Sequence, residues 1–168
     1  MSKTSFADKN CPIAQTLEQV GEWWTFVILR NAFCGMRRFQ EFQQHLGIST
    51  SILTQRLNRL VDSGILLRQP APDDGRIVHY LLTDKGRSLY PILAAMTLWG
   101  EQWAPNPKGA RLTMVERATG LPVAGVGILS AGGRQLMPDQ IDTVAGPGAD
   151  DSTHALMRIR EETINNAS

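Results

Sequence analysis

The tripeptide Gly47-Ile48-Ser49 sits between two short amphipathic segments and constrains the fold more than any other stretch of the chain. On one side Phe39, Phe42 and Leu46 recur at helical spacing within residues 38–46. On the other, Leu53, Leu57, Leu60 and Val61 form one stripe across residues 50–63. Gly47 suits the positive φ that a tight turn requires, and Ser49 is a good helix N-cap. Two short helices around a glycine-containing turn make a helix-turn-helix.

The flanking sequence extends this unit. Cys11-Pro12 opens a helix over residues 13–20 carrying Ile13, Leu17 and Val20, because proline suits the first helical position. After Gly21 comes a helix over 22–34 that is apolar on most sides, which predicts burial within a small bundle, and Gly35 stops it. Downstream, residues 65–68 and 77–82 are β-rich and are separated by Pro70-Ala71-Pro72-Asp73-Asp74-Gly75-Arg76, a hairpin with a polar tip. Thr83 then caps a long helix over 84–103 with Leu89, Ile92, Leu93, Met96, Trp99 and Trp103 along one face. Pro91 either kinks this helix or marks its true start, and Pro105 and Pro107 end it. Beyond Lys108, strands are expected at 111–117 and 123–129, a loose linker at 145–153, and a tail over 154–164 whose pattern fits either helix or strand. The expected fold is mainly α with a β-hairpin wing (α+β): a winged helix-turn-helix in residues 1–104 and a small β-rich accessory extension in 105–168.

Composition narrows the function classes. The formal net charge is +1, with 11 Lys and Arg against 9 Asp and Glu in residues 1–104 and 6 against 7 thereafter. A global electrostatic field is therefore weak, and any nucleic-acid contact depends on local placement of arginines. Two cysteines, Cys11 and Cys34, are too few for a disulfide scaffold or a structural zinc site, so no metal and no cofactor are expected. No apolar run is long enough for a membrane helix, and residues 1–10 lack the apolar stretch of a signal peptide. These features predict a cytoplasmic chain with no membrane partner.

The helix over 50–63 carries the candidate chemistry. With its leucine stripe inward, Ser51, Gln55, Asn58 and Arg59 face outward with Thr54 and Arg56 beside them, the amides and guanidinium groups that match base edges in the major groove. Thr50 and Ser51 stand at the helix N-terminus, where hydroxyls and backbone N–H groups meet phosphate. Arg76 at the hairpin tip and Arg38 before the preceding helix are candidate phosphate contacts. Asp73 and Asp74 weigh against Arg76, and Arg38 has a structural alternative beside Glu41. Trp23, Trp24, Trp99 and Trp103 read as core or contact residues, with an aromatic cavity for a small effector as a second use, and Cys34 reads as buried. The function expected is double-stranded DNA reading; the alternative is a winged helix used only for protein–protein contact. An enzyme with Cys11 as nucleophile lacks a partner His or acid at a suggestive spacing, so no catalytic residue is expected.

Several stretches in order resemble the HxlR family: Cys11-Pro12, Gly21 with Trp24-Thr25, Ile28-Leu29-Arg30, Arg38-Phe39, Gly47-Ile48-Ser49, Leu53-Thr54-Gln55-Arg56-Leu57, Gly64-Ile65-Leu66 with Arg68, and Tyr80-Leu81-Leu82-Thr83-Asp84-Lys85-Gly86, closing at Trp99-Gly100. The resemblance spans about residues 11–104. It implies a bacterial winged-helix transcription regulator acting as a homodimer, built by the first and last helices through Ile13, Leu17, Leu89, Ile92, Met96, Trp99 and Trp103. Such a dimer presents two reading helices about 34–36 Å apart and favours a palindromic operator. The resemblance also makes Cys11 a candidate redox or electrophile sensor. Trp23 and His79 depart from the family pattern, and residues 105–168 lie beyond its core.

Overall fold

The computed structural model describes residues 5–72 and 74–166, so Asp73, expected at the hairpin tip, lies outside the described residues. The chain divides into two compact units: Trp23–Gly127, and a second formed from Met1–Glu22 with Ile128–Ser168. Helix α1 (Pro12–Val20) belongs to the second unit. The first contains α2 (Trp23–Phe33), α3 (Phe39–Leu46), α4 (Thr50–Asp62), β1 (Leu66–Pro70), β2 (Val78–Leu82), α5 (Asp84–Arg87) and α6 (Tyr90–Trp103).

The core of the first unit forms where the apolar stripes converge. Helix α2 packs against α3, α4, β2 and α6. Ile28, Leu29, Phe42, Leu53, Leu57, Leu60, Ile65 and Leu66 are each no more than 1% exposed. Burying one such side chain contributes roughly 1.5–3 kcal/mol. The turn forms as its residues dictate: Gly47 is left-handed at φ 63° and its N–H donates to Gln43 O, and the Ser49 hydroxyl accepts from Ile52 N at the start of α4. Strands β1 and β2 are antiparallel, from Leu66 opposite Leu82 to Pro70 opposite Val78. The chain before α3 joins this hairpin: Tyr80 N–H donates to Arg37 O at 2.7 Å, and Arg38 bridges His79.

At the base of the wing, Thr83 N–H donates to Ile65 O, the Thr83 hydroxyl donates to Gly64 O at 2.7 Å, and that hydroxyl accepts from Gly86 N at 3.0 Å. The approach is close enough that a Cβ on Gly86 would stand 2.2 Å from Ile65 O. The helix expected over 84–103 is two pieces, α5 and α6, and Pro91 occupies the first turn of α6, where its missing N–H leaves no helical bond unmade. Of the two uses left open for Pro91, it marks a start.

Beyond α6 the expected strands are shorter than their sequence runs. Residues 111–129 form only an isolated bridge between Val115 and Pro122, and β3 (Ile128–Leu129) pairs with β4 (Gln135–Leu136). Pro122 has no N–H to donate, and Gly120, Gly125 and Gly127 interrupt the apolar run. The undecided tail is helical: α7 (Asp151–Asn166). Asp150 caps it, accepting from Thr153 N at 2.9 Å and from the Ser152 hydroxyl at 2.8 Å. The Thr153 N–H leads the interactions that hold the Asp150 carboxyl at about 2. In the same unit the Asn10 amide donates to Gly148 O at 2.8 Å. The Gln15 amide donates to the carbonyls of Phe6, Ala7 and Lys9.

Two expectations about burial change. Trp23 is 93% exposed, which excludes a core role, because it sits at the first position of α2 where its helix face turns outward. Cys34 is exposed rather than buried, because α2 ends at Phe33 and Cys34 falls in the turn beyond it.

Candidate nucleic-acid interface

The exposed face of α4 follows from its buried one. With Leu53, Leu57 and Leu60 inward, Thr50, Ser51, Thr54 and Gln55 are exposed, and Asn58 and Arg59 are half-buried. The N-terminal end of this face is held in place. The Gln43 amide of α3 donates to the Thr50 hydroxyl at 2.8 Å, and the hydroxyls of Ser49 and Ser51 lie 3.2 Å apart. Farther along, Arg68 of β1 donates to the Asn58 side-chain carbonyl, and its guanidinium lies 5.6 Å from the centroid of the Tyr80 ring. Arg68 thereby orients Asn58. Sequence reasoning passed over Arg68, although a cationic side chain in the strand that directly follows α4 was a signal for it.

Arg38 and Arg76 come together away from α4. They line one cleft of about 310 Å³ with Phe39, Gln40, Ile77, Val78 and Tyr80. Arg38 is part of a structural arrangement: its N–H and that of Arg37 donate to the Glu41 carboxylate at 2.9 and 2.8 Å, and its Nε approaches His79 Nε2 at 3.4 Å. The Arg38 N–H and then the Arg37 N–H hold the Glu41 carboxyl below the usual carboxylate value. Arg76 is already paired, its Nε and Nη2 donating to the two carboxylate oxygens of Asp74 at 3.1 Å each. That hydrogen bond lowers the Asp74 carboxyl from its ordinary value. A phosphate reaching Arg76 must therefore compete with Asp74.

The remaining candidates lie on exposed apolar or thiol positions. On α6, Leu93 and Ala94 point inward while Ile92, Met96, Trp99 and Trp103 are 41–65% exposed at spacings of one helix face. Leu89 is half-buried. On α1, Ile13 and Leu17 are also exposed. Apolar side chains left exposed along one face of a helix mark candidate interaction surface on each helix by itself. Cys11 is exposed at the N-cap position of α1. Among the described residues no helix is long and apolar enough to cross a membrane, and no group of three or more His, Cys, Asp or Glu converges as metal ligands would.

A helix-turn-helix braced by a β wing, with a polar helix facing outward, defines a winged helix-turn-helix protein. The HxlR-like helix-turn-helix family model matches residues 19–108. Rv3095 of Mycobacterium tuberculosis strain H37Rv, an HTH-type transcriptional regulator, is 33% identical over 81% of this chain and 86% of its own length. The crystal structure of PA1607, assigned as a transcription factor, superposes with a TM-score of 0.78 at 37% identity, over 85% of this chain and all of that one. The oxidised form of the redox regulator HypR gives 0.50 at 34% identity, over 55% of this chain and 96% of its own. The chain belongs to the HxlR-like helix-turn-helix family, whose members are regulators of transcription.

Proposed function

We propose that the chain is a sequence-specific DNA-binding regulator that acts as a homodimer on a palindromic operator. The observation that carries the reading is the outward face of α4, whose N-terminus is capped by Ser49 and whose hydroxyl and amide groups are exposed. In this reading Gln55, Asn58 and Arg59 meet base edges, Thr50, Ser51 and Thr54 meet bases or phosphate at the helix N-terminus, and Arg38 and Arg76 meet the backbone. Residues 1–104 supply reading and dimerisation, and 105–168 are accessory. The dimer buries the exposed faces carrying Ile13, Leu17, Leu89, Ile92, Met96, Trp99 and Trp103, which a single copy leaves to solvent. The site of action is the cytoplasm, where the operator is.

An exposed thiol at Cys11 supports a further switch by oxidants or electrophiles, in keeping with the redox regulator HypR among the structures this chain resembles. Operator affinity before and after peroxide, in wild type and in Cys11→Ser, tests it: the wild type alone should respond, and equal responses remove Cys11 from the mechanism. DNA reading itself is tested by duplex affinity across a salt series. The expected result is an affinity that falls linearly in log salt, with a slope of about −0.9 for each phosphate contacted. No retention at low salt overturns the reading and leaves a protein–protein module.

A further inference from the structure

Within Trp23–Gly127 a cavity of about 180 Å³ opens between the end of α2, the first half of α6 and the segment carrying Leu112 and Met114. Its walls are mostly apolar. Phe33 and Tyr90 form one side, with ring centroids 5.0 Å apart and planes inclined at 57°. Leu93, buried on α6, lines it further, and Leu112 and Met114 line the side given by the chain beyond α6. The size suits a single aromatic ring, since an apolar cavity of roughly 150 Å³ takes up benzene.

The polar groups are few and of a particular kind. Arg30, one helical turn before Cys34, lines the cavity from an exposed position on α2. Its Nε and Nη2 both donate to Asn31 Oδ1, at 3.1 and 2.8 Å, and Asn31 is itself buried, so the plane of the guanidinium is held. Thr97 adds a hydroxyl from α6. With its Nε and Nη2 on Asn31, the guanidinium keeps its Nη1 and the second Nη2 hydrogen, the end-on edge, for a carboxylate carried on a ring.

We propose that this cavity binds a single-ring aromatic carboxylate, with the ring against Phe33, Tyr90 and Met114 and the carboxylate on Arg30. Its use as a regulatory site rests on the DNA reading proposed above. Helix α2 packs on both α4 and α6, so a ligand that binds one α2–α6 spacing better than another biases the support of the reading helix.

Titration calorimetry of the full chain with benzoate, and with benzyl alcohol as its neutral counterpart, tests the proposal without any DNA present. Benzoate should bind once per chain with a dissociation constant on the order of 1 mM or tighter. Thr97→Leu fills the cavity and should weaken both probes by about ten-fold or more. Arg30→Gln should weaken benzoate by about ten-fold and leave benzyl alcohol within about two-fold. Thermal melting establishes that each variant is folded, and Leu112→Trp blocks the cavity from the opposite wall should Thr97→Leu fail to fold. No saturable heat from benzoate, or wild-type affinity in a folded cavity-filled variant, overturns the proposal. Failure here leaves operator reading untouched, because the ligand-free protein's affinity for duplex DNA is measured separately.

Discussion

The helix-turn-helix region and the chain beyond α6 treat apolar residues in opposite ways. In the first, Phe42, Leu53, Leu57 and Leu60 are all but removed from solvent, and a self-sufficient core results. In the second, no described residue from 105 to 163 is buried, and Leu121, Leu129 and Val144 are 64, 63 and 79% exposed. Yet that second region is shared: PA1607 matches 85% of the chain, whereas HypR matches 55%. A shared region with no buried residue of its own adds little to the core of the fold, and within it Leu112 and Met114 line the cavity beside α2 and α6.

Substitutions sharpen this contrast, the largest effect first. Leu57→Ala should lower the free energy of unfolding by about 2–5 kcal/mol, through lost burial and the cavity left behind. Leu129→Ala should change it by no more than about 0.5 kcal/mol. Urea unfolding at one protein concentration measures both. A Leu129 cost equal to that of Leu57 breaks the contrast and means that another surface covers the extension in solution.

Glycines provide a second comparison. Gly86→Ala drives a methyl against the Ile65 carbonyl and should cost about 1–3 kcal/mol. Gly132→Ala, whose added Cβ meets nothing nearer than the Ser130 hydroxyl at 4.0 Å, should be within about 0.5 kcal/mol of wild type in the same assay.

A smaller effect concerns pH. Asp150 ionises in the folded chain at about 2, against an ordinary value of 3.8, chiefly because Thr153 N–H donates to it. The depressed value means that the cap's contribution is fully present above the ordinary value and is lost as the pH falls from there toward about 2. Helicity of α7, followed by NMR of its backbone amides, should decline over that window. In Asp150→Ala it should already be reduced at neutral pH and show less change across the same range. Equal profiles for the two proteins would show that the cap does not support α7.

The legible parts of the sequence are those whose signals are local. The stripe of Leu53, Leu57 and Leu60 and the turn at Gly47 depend only on neighbours a few residues away, so the expected helix over 50–63 agrees with α4 to within a residue. The face bearing Thr50, Ser51, Thr54 and Gln55 follows from that stripe by geometry. What the sequence did not disclose depends on distant partners: Arg68 reaching Asn58 across ten positions, and the cleft shared by Arg38 and Arg76, whereas the hold of Asp74 on Arg76, two residues away, was legible as local charge. The strands expected at 111–117 and 123–129 shrank for a related reason, since a strand needs a paired neighbour and Pro122 and the glycines interrupt the pairing. Helix α7 was undecidable because Leu156, Met157 and Ile159 do not align on a single stripe.

If α4 reads bases while the wing holds the backbone, substitutions in the two elements separate in one paired measurement. Affinity is measured for a duplex selected by the wild-type protein from a random pool, and for an unselected duplex, with Gln55→Ala and Arg76→Ala. Gln55→Ala should cost about 1–3 kcal/mol on the selected duplex and little on the other, whereas Arg76→Ala should weaken both alike and reduce the salt slope by about 1. Binding of both duplexes by Gln55→Ala at wild-type strength would contradict base reading by α4.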